Sequence, residues 1–217
     1  MLTTIQAVVF DMDGLMLDTE TMYRQVWQQA SQELGYVITD ELHDSFVGRT
    51  IADCEMLLTK TFGESYPHPQ FKIRRRELWL QYMEHPGIQT KTGLQELLDY
   101  LDERGLPKVV ATSTFRDDAL KVLGDLAVRF DTITSGDEVV NGKPSPDIFL
   151  LAAERLGVAP ENCLALEDSE NGARAAIAAG MHVIVVPDTV HPSEEVQEAV
   201  HRVCESLHEV REVLLVR

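Results

Sequence analysis

Short apolar runs alternate with longer helical segments over most of this chain. Continuous apolar runs predict buried strands near residues 7–10, 108–112, 131–134, 162–166 and 183–186. The segments between the later runs have the apolar spacing of amphipathic helices. Strands that are apolar on both faces and alternate with helices are typical of a parallel sheet with right-handed crossovers. The pattern therefore predicts an α/β fold with a doubly wound, Rossmann-like parallel sheet.

The segment between the first two predicted strands has a different character. Residues 18–86 show helical periodicity and no convincing strand. We therefore predict a core of residues 1–17 and 87–217, interrupted after its first strand by an inserted α-helical cap of residues 18–86. The expected packing residues of this cap are Trp27, Leu34, Leu42, Phe46, Met56, Leu57, Phe62, Leu78, Trp79 and Tyr82.

Composition and charge narrow the classes of partner. The 217 residues are 44% hydrophobic, which is enough for a core, and carry a formal net charge of −17. Such acidity argues against nucleic acids and anionic membranes as partners. Three scattered cysteines predict neither a disulfide framework nor a zinc site. With no leader pattern and no run long enough to span a bilayer, we expect a cytoplasmic protein, either a monomer or a weak dimer.

Two aspartates directly follow the first predicted strand. Asp11 and Asp13, with Gly14 after them, lie where ligands bind in open α/β sheets, beyond the carboxyl ends of the strands. At this spacing one carboxylate could attack or bind metal while the other transfers protons. An ordinary turn would use the same residue types. A calcium-binding loop is excluded, because Leu15 and Met22 stand where it needs oxygen ligands.

Three further polar groups follow predicted strands or open helices. Thr112, Ser113 and Thr114 could hold phosphate oxygens through hydroxyl and backbone N–H groups. Lys143, between a glycine and a proline, could neutralise a phosphoryl group or a carboxylate. Glu167 and Asp168 could bind a hard cation such as Mg²⁺. Each group also has a structural explanation, namely helix capping for the hydroxyls and acids and solvent exposure for the lysine.

Taken together, these groups resemble the motifs of the haloacid dehalogenase superfamily, in its beta-phosphoglucomutase-like branch with a helical cap. Residues 11–20 resemble the first motif, Thr112 the second, Lys143 the third, and Glu167 with Asp168 the fourth. The resemblance covers nearly the whole chain. It implies a magnesium-dependent phosphatase that hydrolyses a small phosphorylated metabolite, such as a sugar phosphate, through an aspartyl-phosphate. Phosphoglycolate and a nucleoside or pseudouridine monophosphate are alternative substrates.

The resemblance also implies a role for each acid. Asp11 is the expected nucleophile, and Asp13 the expected acid and base. Asp11 and Asp168 are the expected side-chain ligands of Mg²⁺, with the Asp13 backbone carbonyl as a further ligand and Glu167 binding directly or through water.

The remaining motif residues are expected to act on the phosphate. By the same resemblance, Thr112 and the Ser113 amide hold phosphate oxygens. Lys143 orients Asp11 and screens its charge, since a carboxylate that attacks a phosphate dianion meets charge repulsion.

The expected cap supplies substrate recognition. Arg49, in the segment 47–50, resembles a family position that faces the substrate, although a turn with a solvated arginine would look the same. Tyr23 stands where beta-phosphoglucomutases carry a histidine, which favours a phosphatase over the alternative, a phosphoglucomutase-like enzyme.

Two other classes share part of this pattern. A response-regulator receiver also combines acids, a hydroxyl residue and a lysine in a doubly wound fold, but its acid pair precedes the phosphate-accepting aspartate. A dehalogenase would need neither a magnesium site nor Asp13.

Overall fold

The computed structural model describes residues 5–46, 51–84 and 88–215. Its strands are β1 (Ala7–Phe10), β2 (Lys108–Ala111), β3 (Thr132–Thr134), β4 (Cys163–Glu167), β5 (His182–Val185) and β6 (Arg202–Val203). These six strands form one sheet in the order β3-β2-β1-β4-β5-β6, and each neighbouring pair is parallel. The predicted doubly wound parallel sheet is confirmed. Only β6 was not predicted, because two residues beginning with an exposed arginine form no apolar run.

Ten α-helices lie within the described residues. Their bounds are α1 (Thr19–Glu33), α2 (Asp40–Asp44), α3 (Ile51–Phe62), α4 (His68–Glu84), α5 (Leu94–Glu103), α6 (Arg116–Leu123), α7 (Asp147–Leu156), α8 (Glu170–Ala178), α9 (Glu194–Ala199) and α10 (Leu207–Leu215). Short 3-10 helices cover Gly124–Arg129, Gly136–Glu138 and Pro160–Asn162. None of the helices in the described part of the chain combines the length and apolar character that a membrane crossing requires.

The sheet is covered on both faces. Ala7 and Val9 of β1 belong to a buried cluster that includes Phe149 of α7 and Ala173 of α8. Phe10 points to the opposite face, since successive strand residues alternate, and its ring lies 5.5 Å from that of Phe130. Burial on both faces explains why these strands read as continuous apolar runs.

The chain divides into two compact units, one of Met1–Asp18 with Gln89–Arg217 and one of Thr19–Ile88. The first unit contains the whole sheet, and the second contains α1 to α4.

Aromatic side chains build the interior of the helical unit. Trp27 of α1 contacts Phe46 and Phe71, at centroid distances of 5.2 and 5.4 Å. One predicted packing residue is wrong: Met56 is 63% exposed, whereas Leu58 is fully buried. Cys54 and Leu58, four residues apart, share the buried face of α3, and Met56 lies between them on another side of the helix.

Candidate active site

Most of the predicted site residues lie at the carboxyl ends of three neighbouring strands. Asp11 follows β1, Thr112 follows β2, and Glu167 ends β4. The strand order reverses at β1, which has β2 on one side and β4 on the other. This is the switch point at which open α/β sheets bind ligands. The backbone continues the sheet pairing into the site, since the Asp11 amide donates to the Leu166 carbonyl at 3.0 Å.

Lys143 joins the first and last acidic motifs. Its ammonium group donates to Asp11 Oδ1 at 2.5 Å, to Glu167 Oε1 at 2.6 Å and to the Ala111 carbonyl at 3.0 Å. The lysine and Asp11 side chains are each only 8% exposed. Burial by itself would lower the pKa of Lys143, but Asp11 and Glu167 outweigh it and raise the pKa. The lysine therefore stays charged, which excludes the solvent-exposed role that its sequence context left open.

Glu167 is fully buried and uses both oxygens. While Oε1 accepts from the lysine, Oε2 accepts from the Asp168 amide at 3.2 Å and the Ser169 hydroxyl at 3.1 Å. Gly172 makes room for this carboxylate, because a Cβ there would overlap it. Helix capping falls to Ser169, whose hydroxyl accepts from the Gly172 amide at 3.1 Å. The two acids are thus not needed as caps.

Three carboxylates form a group suited to a hard cation. Asp11, Glu167 and Asp168 each offer an oxygen, and these oxygens lie within 4.8 Å of one another. Burial is the main reason that the pKa of Asp11 is raised to about 8, and the Glu167 and Asp13 charges add to it while Lys143 opposes it. Burial, followed by the Asp11 and Glu167 charges, likewise raises the pKa of Asp168 well above its usual value. One lysine does not balance three acids, and oxygen-only donors of this charge fit Mg²⁺.

Asp13 is held separately, by hydroxyl groups. Its Oδ2 accepts from Thr114 Oγ1 at 2.7 Å and from Thr112 Oγ1 at 3.3 Å. The Thr112 hydroxyl also accepts from the Thr114 amide at 3.0 Å. Two chemically distinct carboxylates therefore occur on one loop, Asp11 against a cation and Asp13 against neutral donors. The sequence placed Thr114 among the hydroxyl residues that could hold phosphate oxygens, but it did not predict the bond from Thr114 to Asp13.

The two other predicted site residues are Ser113 and Arg49. Ser113 is exposed between the two threonines. Its carbonyl packs so closely on Gly136 that a Cβ at position 136 would overlap it. Arg49 lies outside the described residues.

Comparisons with known proteins bear on this arrangement. A model of the haloacid dehalogenase-like hydrolases matches residues 5–180. The chain is 34% identical to the phosphorylated carbohydrates phosphatase of Thermotoga maritima, over 83% of this chain and 84% of that one.

Two solved structures are also similar to this chain over nearly its whole length. A Thermotoga maritima structure provisionally assigned as a beta-phosphoglucomutase is similar at a TM-score of 0.83 and 31% identity, with 97% of this chain and 99% of that one covered. CbbY from Rhodobacter sphaeroides, solved in complex with phosphate, is similar at a TM-score of 0.79 and 28% identity, with 95% and 96% covered. The matched regions span most of the chain, which therefore belongs to the haloacid dehalogenase-like hydrolase family.

Proposed function

We propose that this enzyme is a magnesium-dependent phosphatase that hydrolyses a small phosphorylated carbohydrate through an aspartyl-phosphate on Asp11. The proposal rests on one observation, which is that the two aspartates have different surroundings. Asp11 is buried against Lys143 and beside Glu167 and Asp168, whereas Asp13 is bound by threonine hydroxyls.

The different surroundings of Asp11 and Asp13 indicate the role of each in the first half-reaction. An Asp11 carboxylate oxygen attacks the phosphorus, and the bond from phosphorus to the leaving oxygen breaks. Asp13, as a carboxylic acid, donates its proton to that leaving oxygen. In the second half-reaction Asp13 accepts a proton from the water that attacks phosphorus, and Asp11 is released as a carboxylate.

Charge neutralisation makes the attack possible. Asp11, Asp168 and Glu167 would hold the Mg²⁺, with the Asp13 backbone carbonyl as a further ligand. When bound, the ion offsets the repulsion between the carboxylate and the phosphate dianion. Lys143 adds a second positive charge and fixes Asp11 through Oδ1. Thr112 and the Ser113 amide remain the proposed phosphate-binding groups.

The substrate class rests on the relatives. The Thermotoga maritima relative is named for phosphorylated carbohydrates, and the CbbY structure contains phosphate. We propose that residues 18–86 act as a cap, with Arg49 contacting the part of the substrate that lies away from the phosphate.

The test is phosphate release from a panel of phosphorylated carbohydrates, with Mg²⁺ or with EDTA. We expect release with Mg²⁺ only, and a loss of several orders of magnitude in Asp11→Asn. Asp99→Asn is the matched control, because Asp99 is an exposed partner of Arg129. Full activity in EDTA, or near-normal turnover by folded Asp11→Asn, would refute the proposal.

A phosphoglucomutase-like activity is the second candidate, favoured by the similar structure provisionally assigned as a beta-phosphoglucomutase. A mutase must protect its phosphoenzyme from water, whereas a phosphatase must admit water. Since Tyr23 replaces the histidine expected of mutases, we expect phosphate release to exceed conversion of beta-glucose 1-phosphate to glucose 6-phosphate. Efficient conversion without phosphate release would select the mutase.

A further inference from the structure

A partly buried ion pair lies beside the proposed metal ligands and has no part in the chemistry described so far. Lys91 precedes α5, and its amide donates to the Met16 carbonyl at 2.8 Å. Asp188 follows β5. The Lys91 ammonium group donates to Asp188 Oδ1, and the Asp188 side chain is 12% exposed. The first acidic motif and the end of β5 are thus linked through this pair.

The second oxygen of Asp188 is unusual. Oδ2 is buried and has no hydrogen-bond partner among the described residues. A charged oxygen in this situation is costly, because it has lost water and gained no donor. The lysine satisfies Oδ1 and leaves Oδ2 in need of a donor.

Asp188 Oδ2 lies beside Gly14, as does the side chain of the proposed metal ligand Asp168. A Cβ at Gly14 would overlap Asp168 Oδ2 and would lie 3.4 Å from Asp188 Oδ2. Gly14 has a φ of +82°, so this position favours glycine for its backbone as well. The two carboxylates therefore converge beside Gly14.

We infer that Asp188 is a positioning residue for the metal ion, an inference that rests on the proposed function. Mg²⁺ keeps several of its waters when protein carboxylates bind it, and carboxylates outside the ligand set commonly accept hydrogen bonds from the bound groups. Asp188 Oδ2 accepts a hydrogen bond from a water of the ion's hydration shell. Lys91, as the cation beside Asp188, offsets part of the negative charge near Asp168.

Variants of Asp188 and Lys91 test this role, because they should change the Mg²⁺ dissociation constant in opposite directions. Asp188→Ala removes an acceptor and a negative charge, so the Mg²⁺ dissociation constant should rise about tenfold or more. Lys91→Met removes a positive charge, so Mg²⁺ should bind severalfold more tightly. Both variants break the same ion pair, and Lys91→Met should lose more stability in EDTA, because it leaves the Asp188 carboxylate without a donor among the described residues. A purely structural role would change stability and give no opposite shifts in affinity.

The measurement is isothermal titration of the substrate-free protein with MgCl₂, supported by the Mg²⁺-dependent rise in Tm. Asp99→Ala serves as the exposed control and should bind Mg²⁺ like the wild type. If Asp188→Ala does not fold, Asp188→Asn keeps the shape and should still weaken binding. Wild-type affinity in the Asp188 variants, or shifts of the same sign in both positions, would overturn the inference.

The outcome can be separated from the proposed function. If the wild type hydrolyses phosphomonoesters with Mg²⁺ and Asp188→Ala binds Mg²⁺ normally, only the role of Asp188 is wrong. If the wild type binds Mg²⁺ and Asp188→Ala binds it weakly, but no phosphomonoester is hydrolysed, the positioning role stands and the proposed function fails. If the wild type binds no Mg²⁺, both are wrong.

Discussion

Replacing Lys143 by methionine removes the cation that two buried acids share. The lysine contacts Asp11 and Glu167 at 2.5 and 2.6 Å, and the side chains of these acids are 8% and 0% exposed. Methionine has a similar length and can fill the space, so the variant mainly tests charge. Without Lys143, two carboxylates remain buried with no cation between them.

The structure indicates the size of the effect. Removing one partner of a buried ion pair costs about 3–5 kcal/mol, because the other charge stays buried. Lys108→Met is a matched control in the same unit. Lys108 is 6% exposed, but its partner Asp102 is 46% exposed and also accepts from Arg129 at 2.6 Å. In Lys108→Met the Asp102 carboxylate stays solvated and paired with Arg129, so we expect the unfolding free energy to fall by about 1 kcal/mol or less.

The cost of Lys143→Met should depend on pH. The Lys143 charge opposes the raised pKa of Asp11, so its loss raises that pKa further. At pH 5.5 Asp11 can take up a proton and avoid the penalty, whereas at pH 8.5 it cannot do so fully. Urea unfolding in EDTA should therefore show a larger cost at pH 8.5 than at pH 5.5. Equal costs for the two lysine variants at pH 8.5, or a larger cost at pH 5.5, would refute this reasoning.

Two further predictions concern the same acids. The folded-state pKa of Asp11 is raised from 3.8 to about 8, so its contribution to stability is full below pH 4 and is lost as pH rises toward 8. The unfolding free energy of the wild type in EDTA should therefore fall by a few kcal/mol over this pH range relative to that of Asp11→Asn. Mg²⁺ should remove most of this decline. A difference between the two proteins that stays flat or rises with pH would contradict the prediction. Gly172→Ala should force the Glu167 carboxylate away from Lys143, costing about 1–3 kcal/mol in urea unfolding and most of the phosphatase activity. Gly142→Ala, where a Cβ meets nothing within 4 Å, should unfold like the wild type, and equal stability of the two alanine variants would remove the packing argument.

The fold was predictable because most of its strands are buried on both faces. Such strands read as apolar runs, as β1 does from Ala7 to Phe10, and the runs of β1, β2 and β4 also mark where site residues follow. The position of Met56 was not predictable, because a short helix with several apolar residues does not reveal which of them faces inward.

The site was predictable as far as strand ends determine it. Asp11, Thr112 and Glu167 directly follow or end neighbouring strands, so the topology alone brings them together. The bond from Thr114 to Asp13 and the approach of Asp188 to Gly14 depend on side-chain directions in separate loops. No local sequence pattern specifies those directions.

The central claim is that Asp11 carries the phosphoryl group during turnover. The most direct measurement is an acid quench of a single turnover with Mg²⁺ and a phosphorylated carbohydrate, followed by borohydride reduction, which converts an aspartyl-phosphate to homoserine, and peptide mapping by mass spectrometry. We predict homoserine at position 11 alone. In Asp13→Asn we predict more of it with p-nitrophenyl phosphate, whose leaving group needs no acid, because the water that hydrolyses the intermediate lacks its base. Phosphate release with an unmodified Asp11, or modification of another residue, would contradict the account.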